Sequence, residues 1–179
     1  MKILVIICST IFLILVLLFQ SLSFESVNIN ELEAVFIYKF LSFVYWPKKQ
    51  KNITLCVIDR TSLKDYLLSF NGYHLETQNL IIRTLPLNNI NKPQLEKEIN
   101  KCEVLIIDKS IKNIDNIISK IKDKKILTIS NQQDFIKKGG IVEIFTKNNK
   151  LRFKINYSLA KKSGIRISSK VLRLAEQVL

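Results

Sequence analysis

The chain has 179 residues, 47% of them hydrophobic, and 28 Lys and Arg against 15 Asp and Glu give a formal net charge of +13. That size fits one domain, or one domain plus a targeting segment, with apolar content for a sizeable core. The lysines are spread through Ile- and Asn-rich sequence, as in Lys120 to Lys125, without the aromatic interleaving that stacks bases. A dedicated nucleic-acid surface is therefore not expected.

The N-terminus reads as a targeting segment. Met1-Lys2 leads into an apolar and small-residue run from Ile3 to Phe19, followed by Gln20-Ser21-Leu22-Ser23. One positive charge, an apolar region and small residues before a break predict a secretory signal peptide, residues 1–23, cut after Ser23. The alternative is an uncleaved anchor, because the apolar run is close to the roughly 17 residues that span a bilayer. Cys8 lies inside the run with no small residue before it, so no lipoprotein signal is read. In either case residues 24–179 are expected outside the cytoplasm. There the positive charge is read as a solvated face, with attraction to an anionic membrane surface or an acidic partner as the functional alternative.

Asn30 with Glu33 three residues on has the form of a capping box, opening a helix that carries Leu32, Phe36, Ile37, Phe40, Leu41 and Val44. Pro47 disfavours helix at Trp46 and ends it. Trp46 is expected to cover the helix end, with a ligand or partner role as the alternative. A strand-helix rhythm follows. Ile53–Ile58 reads as a buried strand, Leu63, Tyr66, Leu67 and Phe70 as a short helix, Asn71-Gly72 as a turn, and Leu80–Arg83 as a strand. Pro86 to Pro93 is a polar loop and Gln94 to Lys101 a helix; Val104–Ile107 is a strand, Ile111–Ile121 a helix, and Ile126–Ile129 a strand. This alternation predicts an α/β fold, a single-domain sandwich with a mixed, mostly parallel sheet of about six strands flanked by helices.

The last part reads as an antiparallel hairpin and a helix. Gly139-Gly140 permits a turn or bulge before a strand Ile141–Phe145, and Leu151, Phe153, Ile155 and Tyr157 alternate with polar residues in a second strand. Gly164 stops a short passage, Ser158–Ser163. Ser168 or Ser169 caps a closing amphipathic helix with Val171, Leu172, Leu174, Ala175 and Val178 on its apolar side.

Chemistry is sparse. His74 is the one histidine, beside a turn and without companions at ligand spacing, so it reads as a surface residue and no metal site is expected. No nucleophile elbow frames a serine, the glycine pair lacks dinucleotide or phosphate-loop spacing, and Asp59 stands alone at a strand end. No catalytic constellation and no cofactor site emerge, and function is placed in binding.

Several strings carry a resemblance. Gly139-Gly140-Ile141-Val142, Leu151-Arg152-Phe153-Lys154-Ile155-Asn156, and the run Ser163-Gly164-Ile165-Arg166-Ile167-Ser168-Ser169 continuing to Ala175 resemble the C-terminal signature of the YfiR family of small bacterial periplasmic proteins. Phe36-Ile37-Tyr38-Lys39-Phe40 followed by Trp46-Pro47, then Leu55-Cys56-Val57-Ile58, and Lys101-Cys102 before an apolar strand lie in the expected order. The resemblance spans nearly the whole chain after Ser23. It implies a periplasmic regulator without enzymatic activity that restrains a membrane-bound diguanylate cyclase and keeps cyclic di-GMP low. The partner would be the periplasmic sensor region of an inner-membrane signalling protein, a diguanylate cyclase or a sensor kinase. Self-association as a homodimer is left open.

Two cysteines remain after Ser23, Cys56 and Cys102. In an oxidising compartment they either pair or persist as buried thiols, and the resemblance implies that they pair, because a cysteine pair at these places is a family feature. A second pair found in some relatives has no counterpart here. The apolar surface around Phe153, Ile165, Ile167 and Leu172 is the expected contact surface for the partner, with core packing as the alternative for Phe153 and Leu172. Two further readings stand beside the regulator: a periplasmic solute-binding module with Trp46 and tyrosines lining a pocket, and an enzyme of unrecognised type.

Overall fold

A computed structural model describes residues 28–47, 50–58, 61–86, 92–122 and 124–179. The expected signal segment, Cys8 and Asp59 lie outside the described residues.

The centre of the structure is strand β2 (Asn52–Ile58), preceded by helix α1 (Ile29–Leu41) and a two-residue strand β1 (Val44–Tyr45). After β2 come α2 (Lys64–Leu68), β3 (His74–Leu75), β4 (Gln78–Leu85), α3 (Lys92–Ile99), β5 (Val104–Ile107), α4 (Ile114–Ile121) and β6 (Leu127–Ser130). The chain closes with β7 (Val142–Lys147), β8 (Lys150–Ile155), α5 (Tyr157–Lys162), β9 (Arg166–Ile167), α6 (Ser169–Leu172) and β10 (Gln177–Val178). Among the described residues the main sheet has eight strands in the order β10-β8-β7-β6-β5-β2-β4-β3, and β1 and β9 form a separate pair. β4, β2, β5, β6 and β7 run parallel, whereas β7–β8 is an antiparallel hairpin. Strand β2 is therefore the point where the winding reverses, with β4 on one side and β5 on the other.

Both faces of the sheet are covered, which is why the central strands read as unbroken apolar runs instead of alternating ones. Ile53, Leu55 and Val57 point into one core with α1 and α2, while Cys56 and Ile58 point into a second core with α3 and α4. Val104 and Ile106 against Leu105 and Ile107 repeat the division on β5. In α4, Ile114, Ile117, Ile118 and Ile121 form one buried stripe, the spacing that predicts an amphipathic helix.

Three expectations are corrected. Helix α1 is capped by Asn28, whose side chain accepts from the Asn30 N–H at 3.0 Å, and not by an Asn30–Glu33 box; Glu33 is turned inward and only 6% exposed. The helix also ends at Leu41, before Val44, because β9 pairs with Val44 and Tyr45. The closing helix is only four residues long. Beyond it, Glu176 N donates to Phe153 O and Leu179 N to Ile155 O, so the chain end adds strand β10 to the otherwise open edge of β8. Unpaired edge amides of β8 outweigh the helical spacing of Leu174, Ala175 and Val178.

Cys56 and Cys102 form a disulfide, with their Cα atoms 5.8 Å apart, on the core face that carries α3 and α4. The glycine pair has two separate causes. Gly139 adopts φ +95°, and a Cβ on Gly140 would lie 2.2 Å from the ring of fully buried Phe135. Thus only a glycine lets the chain pass over that ring.

At the C-terminal ends of the parallel strands, a polar knot ties α1 to the sheet. Asn131 Nδ2 donates to Glu33 Oε2 at 3.0 Å and to Asp108 Oδ2 at 3.1 Å, while its Oδ1 accepts from Lys109 N at 2.7 Å. Desolvation raises the Glu33 carboxyl above the ordinary glutamate value, against the Asn131 hydrogen bond and the Lys109 charge, which pull it down.

Two outcomes follow. Peptide mass analysis should find Cys56 and Cys102 alkylated only after reduction, and denaturant unfolding should show a loss of about 4 kcal/mol on reduction, from the loop of 46 residues that the bond closes. For Glu33, a raised native pKa means the folded state binds the proton more readily than the unfolded chain. Its contribution therefore becomes more favourable as the pH falls from neutral toward 4.5. Glu33→Gln should be at least as stable as wild type at pH 7, with the gap narrowing on acidification; a gap that widens would contradict this.

Candidate functional site

The strings Trp46-Pro47 and Gly164–Ser169 meet in space. β1 pairs antiparallel with β9 in the register Val44↔Ile167 and Tyr45↔Arg166, and Ser168 N donates to Phe43 O at 2.9 Å. Gly164, at φ +73°, lies beneath Pro47, whose Cγ would be 3.5 Å from a Cβ there. Positive φ makes Gly164 the end of α5, and Ser168 then caps α6, its Oγ accepting from Lys170 N at 3.3 Å.

This clasp closes one wall of a cleft of about 320 Å³ at the β3–β4 turn and the N-terminal end of β4. Its lining includes Ser42, Tyr45, Trp46, Glu76, Gln78 and Arg166. A second cavity of about 190 Å³, with Gln50, Glu103 and Lys125, shares Trp46 and Pro47 in its lining. The Trp46 Nε1–H is buried and has no acceptor among the described residues. A buried donor without a partner is costly, and a bound group with an acceptor would remove that cost. Tyr45 is 46% exposed at the rim. Arg166 is exposed and makes no ion pair among the described residues. The cleft therefore offers aromatic surface, an indole N–H and a guanidinium, a set suited to binding.

The other predicted residues have structural places. Asn156 caps α5, accepting from Leu159 N at 2.9 Å, and Ser169 opens α6. His74 is exposed on β3, where its backbone oxygen accepts from Tyr38 Oη. Among the described residues no group of three or more His, Cys, Asp or Glu could hold a metal ion. The contact surface expected at Phe153, Ile165, Ile167 and Leu172 is corrected. Ile165 and Ile167 are buried by the clasp, Phe153 lies under Phe36 and Phe40, and Leu172 packs half-buried on the same core. Their apolar character serves the interior. Arg166 and Tyr45 were not singled out in the sequence. The signal for Arg166 was its place as the one charge between Ile165 and Ile167, which puts it on the outer side of a two-sided strand.

The winding reversal at β2 makes the C-terminal edge the usual place for a ligand in such sheets. Here Asn131, Glu33 and Asp108 occupy that edge and satisfy one another, and the open cleft is at the opposite edge.

Comparison with known proteins bears on this arrangement. A domain from Streptococcus pneumonia, described as an ABC domain in complex with L-Trp, has the same fold, with a TM-score of 0.57 at 14% identity, over 84% of this chain and 60% of that one. A conserved domain protein from Vibrio cholerae superposes with a TM-score of 0.53 at 15% identity over the same shares. The chain thus spans about 60% of the length of these two solved chains. No curated protein sequence matches it. The sequence profile of the YfiR/HmsC-like family matches residues 30–176, and the chain, with its clasp of Trp46-Pro47 against Gly164–Ser169, belongs to that family.

Proposed function

We propose that the protein is an exported regulator, freed of residues 1–23, that binds the extracytoplasmic sensor region of a membrane-anchored diguanylate cyclase and holds the enzyme inactive. The observation that carries this reading is the membership in a regulatory family over residues 30–176, together with the meeting of that family's separated motifs at one open cleft. A regulator of this kind needs no chemistry of its own. It shifts its partner between states by binding one of them more tightly, and its effect is limited to that difference in affinity. The exposed rim, Tyr45 and Arg166, is the contact we assign to the partner, since a guanidinium and an aromatic edge are the side chains that most often anchor interfaces. The Cys56–Cys102 bond is buried and fixes β2 against the turn before β5. Its reduction would loosen the sheet beside the cleft and couple binding to envelope redox state.

Affinity capture from detergent-solubilised envelopes should retrieve a membrane signalling protein with the wild type. Arg166→Glu should lose it, by about tenfold or more in affinity, with unchanged thermal stability. Cyclic di-GMP should rise on deletion of the gene and stay high when the Arg166→Glu form is supplied. Absence of any membrane signalling protein from the capture, with cyclic di-GMP unmoved by deletion, would overturn the reading.

A second reading, a small-ligand module, is favoured by the Trp46 Nε1–H, unpaired among the described residues, on a side chain that lines two cavities. Trp46 is the single tryptophan of the chain, so its fluorescence reports the cleft directly. Titration with extracts of small envelope metabolites should shift the emission, and Trp46→Phe, which removes the N–H but keeps the ring, should weaken binding measured by calorimetry by about fivefold. An unshifted emission across the extracts would remove this reading.

A further inference from the structure

The β7–β8 hairpin ends in a cationic tip. Asn148 and Asn149 hold positive φ, 51° and 56°, the backbone of a two-residue turn that matches the twist of the flanking strands. That turn sets Lys147 directly opposite Lys150, and like charges so placed cost stability. Lys147 Nζ is matched by Glu176. On the same face Arg152 stands opposite Phe145, and Lys154 Nζ lies 4.8 Å from the centroid of the Phe145 ring while pairing with buried Glu143. The Glu176 carboxyl, held below its ordinary value first by the hydrogen bond that Lys147 donates, is close enough to feel Arg152 and Lys154 as well. Lys150, Arg152 and Arg173 make no ion pair among the described residues. Beside them Leu174 is 72% exposed. β10 runs parallel to β8 with Gln177 beside Lys154, and Glu176 N donates to Phe153 O. Leu174 therefore lies at the end of β8 that carries Lys150 and Arg152.

We propose that this tip docks on an anionic lipid surface, with Lys150, Arg152 and Arg173 at the lipid phosphates and Leu174 entering the boundary between headgroups and acyl chains. The opposed lysines, a local cost in water, become a gain against a sheet of negative charge. Residues 146–150 are all exposed, and a protruding turn meets many phosphates on a bilayer where it could enclose no small anion. An apolar side chain set among cations suits the same surface, because the charges stay with the headgroups while the apolar group sinks below them. The attraction acts within a Debye length, about 8 Å at physiological ionic strength. The net charge of +13 thus draws the protein in, and the groups at the tip decide which side touches. Such docking concentrates the protein at a membrane whichever partner it meets there, and so does not rest on the cyclase reading.

Purified protein, in the form that cells accumulate, should sediment with vesicles of equal parts phosphatidylglycerol and phosphatidylcholine far more than with phosphatidylcholine alone, and added salt should release it. Lys150→Glu and Arg173→Glu should each weaken binding by about tenfold, and Leu174→Ser by about fivefold. Lys51→Glu makes the same change in net charge just before β2, at the opposite end of the parallel strands, and should weaken binding by no more than about twofold. Lys150→Glu should also leave the melting temperature unchanged or raised, since it removes the repulsion with Lys147. No sedimentation with the mixed vesicles, equal binding to the neutral ones, or a loss from Lys51→Glu as large as from the tip variants would overturn the proposal. So would capture on immobilised polyglutamate that the tip variants lose, without vesicle binding, because that outcome assigns the face to an acidic protein.

Discussion

The pairing of β1 with β9 is the contact on which the cleft depends. It joins residues 44–45 to residues 166–167, closing more than a hundred residues of chain, and so forms late in any route that builds the sheet first. Its consequences are local and definite. It takes the backbone of Val44 and Tyr45 away from α1, it seats Gly164 under Pro47, and it fixes Arg166 opposite Tyr45. Without it, Trp46-Pro47 would be a loop at the end of a helix, and Arg166 would have no fixed place beside the cleft. The same pairing joins two strings far apart in the chain: they are the two halves of one joint.

The position of the site follows from which sheet edge is filled. In open parallel sheets the C-terminal ends of the strands, at the point of winding reversal, usually receive ligands because loops diverge there. In this protein Glu33 reaches that edge from α1 and is held with Asp108 by one carboxamide. A buried carboxyl beside another acid is tolerated only because Asn131 donates to both and Lys109 lies near. The edge therefore anchors the first helix, and its polar groups are committed to one another. The opposite edge carries the reverse arrangement, with a donor of Trp46 unpaired and Arg166 without a counter-charge among the described residues. Unspent hydrogen-bonding capacity lining a cleft is the feature that separates a place for binding from a place for packing.

Much of the fold was legible because its signals are local and repeated. Val104–Ile107 and the isoleucines of α4 state their period in the sequence itself, and the crossover rules then leave few arrangements. The disulfide was legible through the family resemblance and not through spacing. What could not be read are the features set by distant contacts. Glu33 looked like a cap because its distance from Asn30 is that of a capping box, yet its partner is Asn131, 98 residues away. The closing helix looked sound by period, and the open edge of β8 overruled it after one turn. Ile165 and Ile167 read as a contact surface, and Phe153 as surface or core, because apolar residues in the last part of the chain have no assigned cover in a linear reading. Their cover comes from α1 and β1, more than a hundred residues earlier. The candidate site shared this difficulty: Trp46 stood out as a residue type, whereas Arg166 acquired meaning only from the strand it pairs with.

The residues that identify the family and the residues that would meet a partner are different sets. Gly140 clears the ring of Phe135, Gly164 turns the chain under Pro47, and Asn156 and Ser168 cap short helices. Each has a stereochemical task that few other residues fulfil. None of these tasks selects a partner. Tyr45 and Arg166 occupy the outward positions of a two-residue strand whose inward positions, Val44 and Ile167, are buried. Strand alternation leaves the outward pair free to vary without disturbing the joint. The clasp thus holds constant a frame, and partner choice is expected to reside in the side chains at its outer face and around the cleft, where a change of charge alters recognition while the fold is kept.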